Sequence, residues 1–259
     1  MFVDTHCHLD FLPQPAQQAE QARKQGVGVI VVPAVEPSNF EAVRELAHSL
    51  PGVGYCLGLH PCSVNGLEEQ ALVLLKNQLE AHHADPRLLA VGEIGLDLFE
   101  QGLRQDRMNH FFIEQLRLAR HYELPVVLHV RKAQDQVLAG LRRFGIRQGI
   151  AHAFNGSEQQ AQAYVAQGIV LGFGGAMTYT RALRIRHLAS WLSEDDWVLE
   201  TDSPDISPEW RAKDEPNQPK EIVGIAHCMA GLRGCSIEDV GRASSANALR
   251  ALPRLSTFF

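Results

Sequence analysis

Two histidines, His6 and His8, stand one residue apart in Phe2-Val-Asp-Thr-His-Cys-His-Leu9. In an extended strand they point to one face while Cys7 points to the other. Two neutral imidazoles a pleat apart make a clamp for a divalent cation. His-x-His also arises by chance, so the pair needs further ligands from elsewhere in the chain. Polar residues that qualify recur after short apolar runs: His60 in Gly58-Leu-His-Pro61, Glu93 and Asp97 in Val91-Gly-Glu-Ile-Gly-Leu-Asp97, and His129 and Arg131 in Pro125-Val-Val-Leu-His-Val-Arg131. His152 follows Ala151, and Asp202 stands in Leu199-Glu-Thr-Asp-Ser-Pro204. Five of the twelve histidines fall at such places. The others, among them His48, His82, His83, His121 and His227, lie in helical or linking text and read as solvated or packed imidazoles.

Those places are strand ends. Strands are expected near residues 2–6, 27–32, 53–58, 88–93, 125–130, 149–152, 169–173 and 197–201. Most are nearly continuous apolar runs, such as Val27-Gly-Val-Ile-Val-Val32, as in strands covered on both faces. Helix signals lie between them. Ser38 with Glu41 reads as a capping box. Met108, Phe111, Phe112, Gln115, Leu116 and Ala119 share one face at helical spacing. Ser157 opens a helix stopped by Gly168, and Pro219 opens one that ends near Gly234. Eight βα units predict a parallel sheet closed into an α/β (β/α)8 TIM barrel, with an open doubly wound sheet as the alternative. The chain has 259 residues and is 45% hydrophobic, enough for one such barrel over 1–259. Ser203–Gln218 is proline-rich and reads as a long irregular loop of the kind that forms lids.

Barrel enzymes carry their chemistry at the C-terminal strand ends. His6, His8, Glu93, His129, His152 and Asp202 are therefore expected to converge as metal ligands. Six ligands exceed one catalytic zinc and suit two divalent cations with Glu93 as the carboxylate between them. Such a pair can acidify a water and clamp both oxygens of a displacement at phosphorus. Asp97 reads as a further ligand or as a group that orients one. Arg131 shares parity with His129 and, with His60, is a candidate phosphate holder.

The remaining totals exclude other classes. Net charge is −6, so no overall positive field draws the chain to nucleic acid or a membrane. Five cysteines without Cys-x-x-Cys argue against a disulfide framework and for reduced thiols in the cytoplasm. No signal peptide or spanning run is read, and a monomer without an obligate protein partner is expected.

Taken in order, Asp4-Thr-His-Cys-His-Leu-Asp10, Gly58-Leu-His-Pro61, Val91-Gly-Glu-Ile-Gly-Leu-Asp97, Leu124-Pro-Val-Val-Leu-His-Val-Arg131, Ala151-His-Ala-Phe-Asn-Gly-Ser157 and Leu199-Glu-Thr-Asp-Ser-Pro204 resemble the TatD family of metal-dependent deoxyribonucleases. Val31-Val-Pro-Ala-Val-Glu-Pro-Ser-Asn-Phe40 and Leu98-Phe99 look closest to its YjjV-like branch. The resemblance implies one cation on His6, His8, Glu93 and Asp202 and a second on Glu93, His129 and His152. Leu98, Ala153, Asn155 and Asn247-Ala248 depart from the family pattern; none is a ligand position, and they bear on substrate preference.

The expected reaction is hydrolysis of DNA phosphodiesters, from the 3′ end of a single strand, with Asp202 orienting the water and taking its proton. Gly174-Gly175 offers backbone donors, although a plain tight turn is the preferred reading. Phe99, Tyr179 and Trp210 are loop aromatics on which bases could stack, and Arg181, Arg184 and Arg186 form a basic run. Competing readings are hydrolysis of an amide, lactone or aminoacyl ester, hydrolysis of a small phosphomonoester, and a non-catalytic metal-dependent scaffold.

Overall fold

The computed structural model describes residues 1–212 and 214–259. Eight strands alternate with helices in the order β1 (Phe2–Asp4), α1 (Pro15–Lys24), β2 (Val27–Pro33), α2 (Phe40–Ser49), β3 (Val53–Leu57), α3 (Gln70–His82), β4 (Leu88–Asp97), α4 (Gln105–His121), β5 (Val126–Arg131), α5 (Gln134–Phe144), β6 (Gly149–Ala151), α6 (Glu158–Ala166), β7 (Ile169–Phe173), α7 (Leu183–Trp191) and β8 (Trp197–Leu199). Two more helices follow, α8 (Ile222–Arg233) and α9 (Ile237–Ala251). All strand pairs are parallel and sequential from β1 to β8. The expected (β/α)8 barrel is the observed fold.

Alternation along the strands divides the apolar residues into two cores. Val3, Val29, Val31, Cys56, Ala90, Val127, Ile150, Val170 and Val198 face inward, and Leu252 and Leu255 plug them from below. Ile30, Val32, Leu128 and Leu171 face outward against helices, beside Phe111, Leu116 and Tyr164. Every residue of the predicted α4 face is buried.

One strand breaks its own alternation, and the site depends on that break. Val91 and Ile94 both lie in the outer core, three residues apart, where a regular strand would place them on opposite faces. The β4–β5 register slips between them. The extra residue is a bulge, which re-aims the side chains beyond it. Glu93 thereby turns into the barrel mouth and Asp97 keeps its parity. Gly95 lets β5 approach: its φ is +152°, and a Cβ there would lie 1.9 Å from the His129 carbonyl oxygen.

The barrel closes across a short seam. β1 and β8 end earlier than expected, at Asp4 and Leu199. Beyond them the two chains stay joined by Thr5 N–H to the Leu199 carbonyl (3.2 Å), Asp202 N–H to the His6 carbonyl (2.8 Å) and His8 N–H to the Ser203 carbonyl (2.7 Å). Buried Asp4 ties the seam further, accepting from Thr201 N–H at 2.9 Å and from the Thr201 hydroxyl at 2.6 Å.

Two helix details differ from expectation. The reciprocal cap before α2 is made by Glu36 and Asn39, not Ser38 and Glu41. Proline at position 37 starts a 3-10 turn two residues earlier, and Ser38 donates to Glu36 instead. Helix α9 was not anticipated, although Ser236-Ile-Glu-Asp239 makes a capping box at its start. Ser157 caps α6 with Gln160, and Gly234 stops α8 in the left-handed region, both as expected. Between Leu199 and Pro219 the described residues form no helix or strand, matching the expected loop; position 213, within that reading, lies outside the described residues.

Candidate metal centre

Glu93 is buried at the centre of the mouth, and its two oxygens have different partners. Oε2 lies 3.1 Å from His6 Nε2 and 3.4 Å from His8 Nε2. Those two nitrogens lie 3.5 and 3.8 Å from Asp202 Oδ1. Oε1 lies 2.9 Å from His152 Nε2, 3.0 Å from His129 Nδ1 and 3.2 Å from His60 Nε2. His6 also stacks on His152, ring centroids 3.9 Å apart. All six expected ligands therefore meet at one place, divided into two sets by one carboxylate, and His60 joins them.

The donor set fits divalent cations. Ring nitrogens face one another at 3.3 Å (His6–His8), 3.1 Å (His60–His129) and 3.4 Å (His129–His152). Two such nitrogens share at most one proton, so lone pairs converge on the same space. That is a ligand shell's arrangement rather than a hydrogen-bond network's. Three groups of ligand atoms lie close enough to share an ion: His6, His152 and Asp202; His6, His8 and Glu93; His60, Glu93 and His129.

Without a cation, the charges in the cluster compensate one another. Burial, the largest influence on Glu93, pushes its pKa up, yet His60, His152 and His6 together hold it well below the usual carboxylate value. Burial also opposes charge on His129 and His8, but the carboxylates around them prevail and raise both to about 9. Burial keeps His6 neutral, its pKa well below that of a free imidazole.

With this geometry established, sequence comparison gives the lineage. The family described as TatD related DNase matches residues 3–253. The chain belongs to the TatD family. It is 37% identical to the metal-dependent hydrolase YjjV of Escherichia coli over 93% of this chain and 94% of that one. It is 33% identical to human deoxyribonuclease TATDN3 over 98% and 95% of the two chains. The crystal structure of Escherichia coli YjjV superposes with a TM-score of 0.92 at 36% identity, covering 97% of this chain and 98% of that one. The protein is thus a TatD-family, metal-dependent hydrolase with a TIM-barrel fold.

Around the TatD centre a further set of side chains orients the inner ones. Asp97 Oδ2 holds His129 Nε2 at 3.0 Å, which leaves His129 Nδ1 to face Glu93. Asp97 Oδ1 accepts the amides of Phe99 and Glu100, and Arg131 Nη1 approaches Oδ2 at 3.8 Å. Glu200, which sequence reasoning passed over, is buried 3.9 Å from His152 Nδ1 and accepts the Ala153 amide. Its pKa is well above the usual value because burial disfavours the charge. Phe11, also missed, stands half-exposed and stacked on His8.

Other expectations resolve differently. Gly174-Gly175 is a close-packed turn, since side chains there would strike the Glu200 and Ile206 carbonyls. Arg186 is committed to the Met177 carbonyl, whereas Arg181 and Arg184 are exposed. Tyr179 donates to the Ser207 carbonyl and Trp210 to Glu221, so both serve local packing. No helix among the described residues is long and apolar enough to cross a membrane.

Proposed function

We propose that this TatD protein is a deoxyribonuclease that hydrolyses phosphodiesters from the 3′ end of single-stranded DNA. The observation that carries the reading is the division of the Glu93 oxygens between two ligand sets. His6, His8, Asp202 and Glu93 Oε2 would hold one divalent cation, and Glu93 Oε1, His129 and His152 a second. Bound together, they supply Lewis acidity toward phosphate oxygens and lower the pKa of a water. The name of the family and of the human relative supports DNA as substrate. Five unpaired cysteines suit a cytoplasmic enzyme.

The chain's own groups then have distinct tasks. Asp202 orients the attacking water and takes its proton; burial raises its carboxyl pKa against the pull of His152 and His8, which suits a base. His60 is a donor rather than a ligand. Its Nδ1 accepts the Cys62 amide at 3.2 Å, so the neutral ring carries its proton on Nε2, aimed into the mouth. There it donates to a phosphate oxygen. Arg131, half-exposed at the rim, holds a second one.

The test is hydrolysis by metal-loaded wild type and Glu93→Ala on 3′-labelled single-stranded DNA, duplex DNA, RNA, a phosphomonoester and an amide. Stepwise nucleotide release from the 3′ end by wild type alone, stopped by chelator, is expected. Turnover confined to the phosphomonoester or the amide would replace the substrate while keeping the metal centre. Asp202→Asn is expected to lower turnover about 1,000-fold or more with the fold intact; near-normal rates in the metal-loaded variant would remove its role as base.

A further inference from the structure

We infer that Phe99, Arg131 and Lys132 form a strand-holding subsite at the rim, in which Arg131 holds the reacting phosphate and Lys132 the next phosphate of a single-stranded nucleic acid. The inference rests on the phosphodiester reading and adds a polymer subsite to it.

Phe99 follows β4 and is 48% exposed. Two cations lie over it instead of apolar groups: the Arg131 guanidinium carbon 4.0 Å from the ring centroid and Lys132 Nζ at 4.6 Å. A ring quadrupole attracts each cation and fixes its position. Lys132 reaches this place from a left-handed backbone, φ +53°, which a residue with a side chain adopts at a cost. Strain kept beside a reactive centre points to use of the side chain so placed.

Position relative to the centre decides the ligand. Asp97 joins the two: Oδ2 holds His129, while Oδ1 fixes the Phe99 amide. The cations therefore sit one carboxylate away from the second ligand set. The chain as a whole carries −6, and this pair is a local exception at an open mouth. Two neighbouring cations gathered on one exposed ring suit a polyanionic strand, and the guanidinium plane adds a stacking face for a base. A small phosphate ester could use only the nearer cation.

The experiment measures binding of a labelled phosphorothioate oligothymidylate to the metal-loaded protein by anisotropy across a salt series. Each phosphate contact contributes about 0.7 to the slope of log affinity against log salt for a single strand. Lys132→Gln is expected to reduce the slope by about 0.7 and to weaken binding about threefold to tenfold at physiological salt. Phe99→Ala is expected to act similarly by releasing both cations, and Phe99→Tyr to restore wild-type binding. Arg242→Gln, an exposed cation beside Phe2 at the opposite end of β1, serves as the control with unchanged slope. Wild-type slope and affinity in Lys132→Gln and Phe99→Ala would overturn the inference, as would failure of wild type to bind the strand. Rim-dependent binding without cleavage of the unmodified strand would uphold the subsite and sink the nuclease reading. Cleavage with rim-independent binding would do the reverse.

Discussion

A single carboxylate, Glu93, sorts five imidazoles into two sets, and the groups behind them decide how tightly each set is poised. Asp97 is the clearest case, because it fixes His129 through the nitrogen that does not face Glu93. Asp97→Asn is expected to weaken cation binding at the His129–His152 set about 10- to 100-fold, measured by calorimetric titration, with the His6–His8 set little changed. Protons compete for the same nitrogens. His8 and His129 have pKa values raised to about 9. A raised imidazole binds more protons folded than unfolded, so its stabilisation is complete below about pH 6.5 and lost as pH rises through 9. The melting temperature of chelated protein is therefore expected to fall between pH 6.5 and 9; a flat or rising profile would contradict this. The residues that converge on Glu93 were legible because each is a polar residue ending an apolar run. His60 was readable as a phosphate holder, but not which nitrogen faces the mouth, since that depends on the Cys62 amide folding back onto the ring. Lys132 and Glu200 escaped notice because their partners lie on other strands.

At the scale of elements, two irregularities aim the ligands. The β4 bulge turns Glu93 inward, and the β1–β8 seam brings His6 and His8 to Asp202. Neither is written as a pattern: a bulge leaves the apolar run continuous, and the seam consists of bonds between chain segments outside any strand. The eight strands, the α4 face and the caps at Ser157 and Gly234 were readable because they rest on local periodicity and local capping chemistry. The cap near α2 was misread for a local reason as well, since proline at 37 moved the helical start. Asp4 gives the seam a test. Asp4→Ala leaves the Thr201 hydroxyl and amide buried without an acceptor, with an expected loss of about 3 kcal/mol in denaturant unfolding. A loss below about 1 kcal/mol would show that the backbone bonds alone close the barrel.

The candidate ligands come from the ends of β1, β4, β5, β6 and β8, so a cation bound there would tie most of the barrel together. Cation at about 100 times its dissociation constant stabilises the folded state by about 2.7 kcal/mol per site. For a domain of this size that corresponds to a rise of about 5–10 °C in melting temperature. Chelated protein titrated with zinc, manganese or magnesium in a thermal-shift assay is expected to show it. No rise with any of them would mean that the imidazole cluster is structural.

The seam also sets an order of events. The His6 carbonyl accepts from the amide of Asp202, a residue most of a barrel further along the chain. Contacts of such long range form late in folding, after loop-closure entropy has been overcome. A folding intermediate in which this seam is still open is therefore expected to lack Asp202 beside His6 and His8. Hydrolytic competence is thus expected to arrive last in folding, when the first and last strands meet.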